Sequence, residues 1–200
     1  MIPENQLTEK QLVRKKTILQ TTEEIVYQHG FYKMSLDDLV GDLKISKSTI
    51  YDFFGSKEGL IEAVVDRFGE RLEQGLEDIM NDSTLTVADK LFSIAHTQGT
   101  ATACLKSKFM SDLRIHAPLL YEKFQEGKLR RTQRYYAPII EAGMTEGLFD
   151  PSLDKTFILR MYLEMSALAC SSGIFDHVSM TRTEAYMAII KVFLHGTTKK

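Results

Sequence analysis

The 200-residue sequence predicts an all-α fold, and three observations carry that expectation. Apolar residues recur at helical spacing along almost the whole chain, strand-like alternation is nearly absent, and only four prolines interrupt the pattern. The length allows one ordinary domain or two small ones with a sizeable core. A composition of 44% hydrophobic and 26% charged residues is that of a soluble globular chain.

The first helix opens at Thr8, where Thr8 and Gln11 have capping-box spacing. Leu12, Leu19 and Val26 recur every seven residues, with Ile18, Thr22 and Ile25 broadening the stripe. Gly30 ends it, since the residue just past a helix end favours positive φ. A second helix starts from Ser35, capped with Asp38, and places Leu36, Leu39, Val40 and Leu43 on one face. After Lys44-Ile45, Ser46 caps a third helix of barely two turns, whose Ile50, Phe53 and Phe54 turn back onto the first two. So short a helix is unstable alone. Ser56 caps a fourth helix running toward Met80. Beyond "NDSTLT", helices are expected near Val87–Ala103, Lys106–His116, Pro118–Glu146, Leu153–Ser172 and Thr181–His195.

Two short helices packed on a longer one make a helix-turn-helix, which offers the start of its second helix to the DNA major groove. Ser46, Lys47, Ser48 and Thr49 form that start, with Tyr51 outward one step later. Lys can donate to guanine, and Ser or Thr can meet base edges or a thymine methyl. Lys57, at the first position of the fourth helix, and Lys33, just before the second, are the expected phosphate contacts, and the capping Ser35 is a further DNA-binding candidate. Bulk charge opposes this reading mildly. The chain carries a net charge of -2, and residues 1–60 hold 8 basic against 9 acidic side chains. The argument for DNA is local: Lys10, Arg14, Lys15 and Lys16 cluster on the first helix.

The stretch "GFYKMSLDDLVGDLKISKSTIYDFFGSKEGL", Gly30 to Leu60, resembles the DNA-binding domain of the tetracycline-repressor (TetR) family of bacterial transcription regulators. Gly30-Phe31, Ser35 before Asp38-Leu39, Ile45-Ser46-Lys47, Ile50-Tyr51, Phe54 and Ser56-Lys57-Glu58 with Leu60 carry the likeness. Lys44 stands where the family commonly has Gly in the turn, so a left-handed Lys44 would cost about 1–2 kcal/mol. The resemblance implies a helix-turn-helix domain over residues 1–55, a connecting helix over 56–80 and a ligand-binding and dimerisation domain over 81–200. It also implies a regulator, by family default a repressor, released from double-stranded palindromic operator DNA by a small-molecule effector.

The helices Leu153–Ser172 and Thr181–His195 are apolar nearly all round, which calls for burial from two directions. A homodimer joined through them is the expected arrangement, with Ser166, Ala167 and Gly173 permitting close approach. A larger intramolecular core is the alternative. Candidate effector-pocket residues are His96, Phe109, Met110, Asp112, Leu113, His116, Tyr121, Phe124, Tyr136 and Met161. Asp112 and His116, at i and i+4, could share a metal, but two ligands alone match a surface pair better.

No phosphate-loop, dinucleotide, zinc-protease, nucleophile-elbow or CxxC pattern occurs, so no cofactor is implied and an enzyme is the weaker reading. Cys104 and Cys170 read as free thiols of a reducing compartment. The N-terminus lacks a secretory apolar stretch, and Phe157 to Cys170 is broken by Arg160 and Glu164. A cytoplasmic protein is expected. An activator, a regulator without a ligand and a purely structural adaptor remain as alternatives; the adaptor leaves the outward Lys47 turn without a purpose.

Overall fold

In a computed structural model of the chain, residues 2–170 and 179–197 are described. The described residues form the α-helices α1 (Glu9–His29), α2 (Leu36–Leu43), α3 (Lys47–Phe54), α4 (Lys57–Asn81), α5 (Val87–Ala103), α6 (Ser107–His116), α7 (Pro118–Arg131), α8 (Ala137–Thr145), α9 (Lys155–Cys170) and α10 (Arg182–Thr197), joined by short turns. The expected single helix over Pro118–Glu146 contains a π-helical turn, Thr132–Tyr136, between α7 and α8.

The start signals act as their chemistry requires. The Thr8 hydroxyl accepts from the Gln11 amide at 3.3 Å while Gln11 reaches back to the Thr8 amide at 2.9 Å. Ser35 and Asp38 form the same box on α2, and Thr86 with Asp89 on α5. Lys44 has φ 52° and ψ 44°, the left-handed conformation, and no other non-glycine described residue has positive φ. The departure from Gly therefore does place a side chain in a costly backbone.

Two compact units form. The first comprises Met1–Gly69 and Leu105–Phe124, so α6 and the start of α7 pack with α1–α3 and the first part of α4. Sequence order had placed α6 with the helices that follow it. The core of this unit is aromatic. Tyr27 meets Phe109 edge-on at 5.1 Å and Phe68 at 6.3 Å, and Phe31 meets Phe109 at 6.0 Å. Glu23, buried on α1, pairs with Arg67 on α4 at 3.0 Å. Gly30 has φ 76° and ψ -178°, a region for glycine alone. A Cβ there would also lie 2.4 Å from an Asp112 carboxylate oxygen.

The second unit holds Glu70–Cys104 and the described residues from Gln125 onward. Here α10 lies along α5, and a Cβ at Gly99 would sit 2.9 Å from the Thr183 backbone, so this glycine sets the approach. Gln98 lies within hydrogen-bond distance of the Tyr136 hydroxyl at 3.0 Å and the Tyr162 hydroxyl at 2.9 Å, and the two hydroxyls touch each other. Arg134 bridges the π turn to α4 through Glu73 at 2.9 Å and Glu77 at 2.6 Å. Among the described residues, no helix is long and apolar enough to cross a membrane.

Candidate nucleic-acid interface

α3 is only eight residues long, and its stability comes from behind. Ile50, Phe53 and Phe54 are buried, with Phe53 and Phe54 edge-to-face at 6.3 Å. At its start the Ser46 hydroxyl accepts from the Thr49 amide at 3.3 Å and lies 2.7 Å from the Ser48 hydroxyl. Ser46 thus serves as the cap, and Ser48 packs over it in the open.

Lys47, Ser48 and Tyr51 face solvent, with Tyr51 51% exposed. Thr49 corrects the sequence expectation. It is 8% exposed, and its hydroxyl sits 2.9 Å from that of Ser46. The spacing Thr49 to Phe53 puts both on one face, so the solvent-facing start of α3 is Lys47, Ser48 and Tyr51, with Thr49 turned inward.

The flanking cations divide. Lys33 is exposed at the approach to α2, where the Ser35 hydroxyl and amide are held by Asp38. Those two hydrogen bonds keep the Asp38 carboxyl below its ordinary range. Lys57, at the first position of α4, donates to the Met34 carbonyl and so joins the start of α4 to the α1–α2 turn. This sets the Lys57 ammonium beside Met34, the residue between Lys33 and Ser35. Lys57 is half-buried, and its ammonium is engaged by that carbonyl. On α1, Lys15 lies 5.9 Å over the Phe54 ring and 3.5 Å from Glu4.

One participant was missed by sequence reasoning. Asp37 of α2 pairs with Lys47 at 2.7 Å. The hydrogen bond from Lys47 and the Asp37 charge raise the Lys47 pKa. A carboxylate ten residues upstream gives no pairing signal until the turn between α2 and α3 folds one helix against the other.

The expected effector residues are divided between the two units. Phe109, Met110, Asp112, Leu113, His116, Tyr121 and Phe124 belong to the first unit, and His96, Tyr136 and Met161 to the second. Phe109 and Leu113 are core. Asp112 is buried and accepts from the amides of Phe31 at 2.8 Å and Tyr32 at 2.9 Å and from Lys108. His116 is exposed and stacks on Tyr32 with ring centroids 3.3 Å apart. The pair Asp112 and His116 therefore serves the α1–α2 turn separately and does not gather on one ligand. In the second unit, His96 is exposed and Tyr136 belongs to the Gln98 cluster. A groove of about 390 Å³ there is lined by Met80, Leu85, Lys90, Pro138 and Ile139 among others, and by none of the ten expected residues.

Residues 18–64 match the family model described as bacterial regulatory proteins, tetR family. The chain is 37% identical over 76 residues to the helix-turn-helix-type transcriptional regulator YvaF of Bacillus subtilis, a match spanning 38% of this chain and 40% of that one. It is 29% identical over 159 residues to the regulator YhgD of the same organism, covering 76% and 82%. Among solved structures, the TetR family transcriptional regulator PfmR of Thermus thermophilus superposes with a TM-score of 0.70 at 19% identity, over 91% of this chain and 99% of that one. At that identity the likeness is one of fold.

Proposed function

We propose that the chain, whose residues 18–64 match the tetR family of bacterial regulatory proteins, is a homodimeric repressor of that family that reads a near-palindromic operator and is released by a small-molecule effector. The observation that carries the DNA half is the start of α3. Lys47, Ser48 and Tyr51 project from a capped two-turn helix whose other face is locked into the core. A short rigid rod with a polar outer start suits entry into the major groove. Lys33 and Lys57 flank it as phosphate partners, Lys57 after exchanging the Met34 carbonyl for DNA.

Dimerisation is assigned to α9 and α10, the described parts of the expected Leu153–Ser172 and Thr181–His195 helices. Phe157 and Met161, one turn apart on α9, and Val192 on α10 are exposed apolar side chains. Such groups on neighbouring helices favour burial by a second copy. The side chains of Ser166, Ala167 and Cys170, and Ser171, Ser172 and Gly173 themselves, lie outside the described residues. Two reading heads related by a two-fold axis require half-sites facing successive major grooves. The effector belongs to the second unit and must bind the DNA-incompetent arrangement more tightly, because equal affinity shifts nothing. The protein works where the chromosome is, in the cytoplasm, and without catalytic turnover.

Selection of bound sequences from random duplex DNA tests this reading. A symmetric motif recovered by the dimer, with affinity falling steeply as salt rises, is the expected result. Recovery of no motif, or binding indifferent to salt, defeats it.

A further inference from the structure

A cleft of about 290 Å³ opens in the first unit, where three stretches of chain meet. The turn after α1 supplies Phe31 and Tyr32, the start of α4 supplies Lys57, Glu58 and Ile61, and the corner between α6 and α7 supplies His116. The outward side chains of α3 do not line it. Phe31 and Ile61 are buried and give the cleft an apolar wall. Tyr32 and His116 are exposed. Their rings lie within 5° of parallel with centroids 3.3 Å apart, so together they form a flat aromatic step beside that wall.

The two charged side chains of the cleft are not equivalent. Glu58 is exposed, whereas Lys57 is half-buried and its ammonium donates to the Met34 carbonyl. An ammonium carries three donors, so one carbonyl does not exhaust it. A carboxylate is also the stronger partner, because hydrogen bonds between two ionised groups are roughly twice as strong as neutral ones. Lys57 therefore gains by meeting an anion inside the cleft. The Glu58 charge limits that anion to a single negative charge, since a second would add repulsion without a second cation to offset it. Volume limits its body. The cleft is at the small end of ligand sites, with room for one or two fused rings and none for a long chain.

We propose that this cleft binds a planar aromatic monocarboxylate, its rings against Phe31, Ile61 and the Tyr32–His116 step and its carboxylate on the Lys57 ammonium. The site is separate from the effector site assigned to the second unit. Burial of the rings supplies most of the affinity, and the aromatic step adds ring-to-ring contact. Lys57 distinguishes the acid from its neutral amide. The apolar wall and Glu58 distinguish it from inorganic phosphate, which has no ring and carries more charge. Lys57 is also a phosphate partner in the function proposed above, so acid and operator compete for one ammonium. Bound acid then weakens DNA binding within the unit that carries α3. Only this last consequence rests on the regulator reading; occupation of the cleft does not.

The test uses the full chain, with benzoate and naphthoate as probes and naphthamide, acetate and phosphate as controls at equal ionic strength. Amide NMR spectra of the wild type map the site without requiring any variant to fold. With millimolar naphthoate the signals of Tyr32, Glu58 and His116 move, and the controls do not reproduce the pattern. Tyr32→Ala and Lys57→Met weaken acid binding, and Glu58→Gln tightens it. Lys90→Met, which removes the ammonium lining the groove of the second unit, leaves it unchanged. The proposal is overturned if neither acid moves these signals, if the shifts map elsewhere, or if naphthamide or phosphate matches naphthoate. It is also overturned if folded Tyr32→Ala and Lys57→Met bind the acids as wild type does, or if Lys90→Met abolishes binding. Saturating naphthoate should lower operator affinity of the wild type about five-fold or more, the scale of coupling between linked sites, and that of Tyr32→Ala far less. A filled cleft with unchanged operator affinity overturns the competition. Wild type that selects no DNA sequence sinks the regulator reading and leaves the NMR map to decide the cleft, whereas operator binding with no acid response sinks only the cleft.

Discussion

Lys47 Nζ lies 2.7 Å from Asp37 Oδ1, so the lysine at the exposed start of α3 is held by a carboxylate of the preceding helix. Both groups are largely exposed, and exposed ion pairs are readily exchanged. In the DNA-free protein the pair keeps Lys47 against α2. If α3 meets DNA as proposed, Asp37 competes with the phosphates for the same charge.

Asp37→Asn should therefore tighten operator binding by a few-fold at moderate salt, read by titration of labelled duplex. The amide retains the size of the side chain and removes only its charge. Weaker binding by this variant would mean that Asp37 orients Lys47 for contact, reversing its assigned role.

The inward turn of Thr49 separates two variants. Tyr51→Ala and Lys47→Ala should weaken DNA binding while leaving the melting temperature unchanged. If Lys47 meets a phosphate, its loss lowers the salt dependence by about one counterion. Thr49→Ala should do the reverse, removing a hydroxyl packed against the Ser46 cap and destabilising the fold by about 1 kcal/mol. Equal loss of affinity in all three at unchanged melting temperature would put Thr49 back on the reading face.

What was legible in the chain was local. Thr8 with Gln11, Ser35 with Asp38 and Ser46 before α3 announce helix starts because each cap spans three residues. The burial of Thr49 was also legible, since Thr49 and Phe53 are one turn apart, but the recognition-helix pattern drew the whole first turn outward. The packing partners of the expected effector residues were not legible. Asp112 looks like a pocket carboxylate until it meets the amide of Phe31, 81 residues away. Arg131 looks like one of several surface arginines until Gly127 opens the space for it. Helical periodicity reports which face is apolar and is silent on which helix covers it.

Lys44→Gly should stabilise the protein. Lys44 is in the left-handed region, where a Cβ costs about 1–2 kcal/mol, while glycine adds unfolded-state entropy that offsets part of the gain. A net increase of about 0.5–1 kcal/mol in urea unfolding is expected on those terms. Unchanged or lower stability would show that the Lys44 side chain contributes an interaction that outweighs its backbone strain.

Asp112 ties α6 to the turn after α1, and its titration should appear in acid stability. Burial pushes this carboxyl up, but hydrogen bonds from Lys108, Tyr32 and Phe31 together carry it below its ordinary value. A folded pKa lower than the unfolded one, about 3.9, gives stability that is fully present above that pH and lost as pH falls through the folded value. Asp112→Asn keeps a carbonyl oxygen for the amides but presents NH2 to Lys108 or to the backbone. It should cost about 2–3 kcal/mol at neutral pH, the scale of hydrogen bonds to a charged group. The gap from wild type should narrow as the pH is taken below the ordinary carboxylate value of about 3.9 and Asp112 becomes protonated. A gap that stays constant across that range would show that the negative charge of Asp112 is not what holds Phe31 and Tyr32 in place.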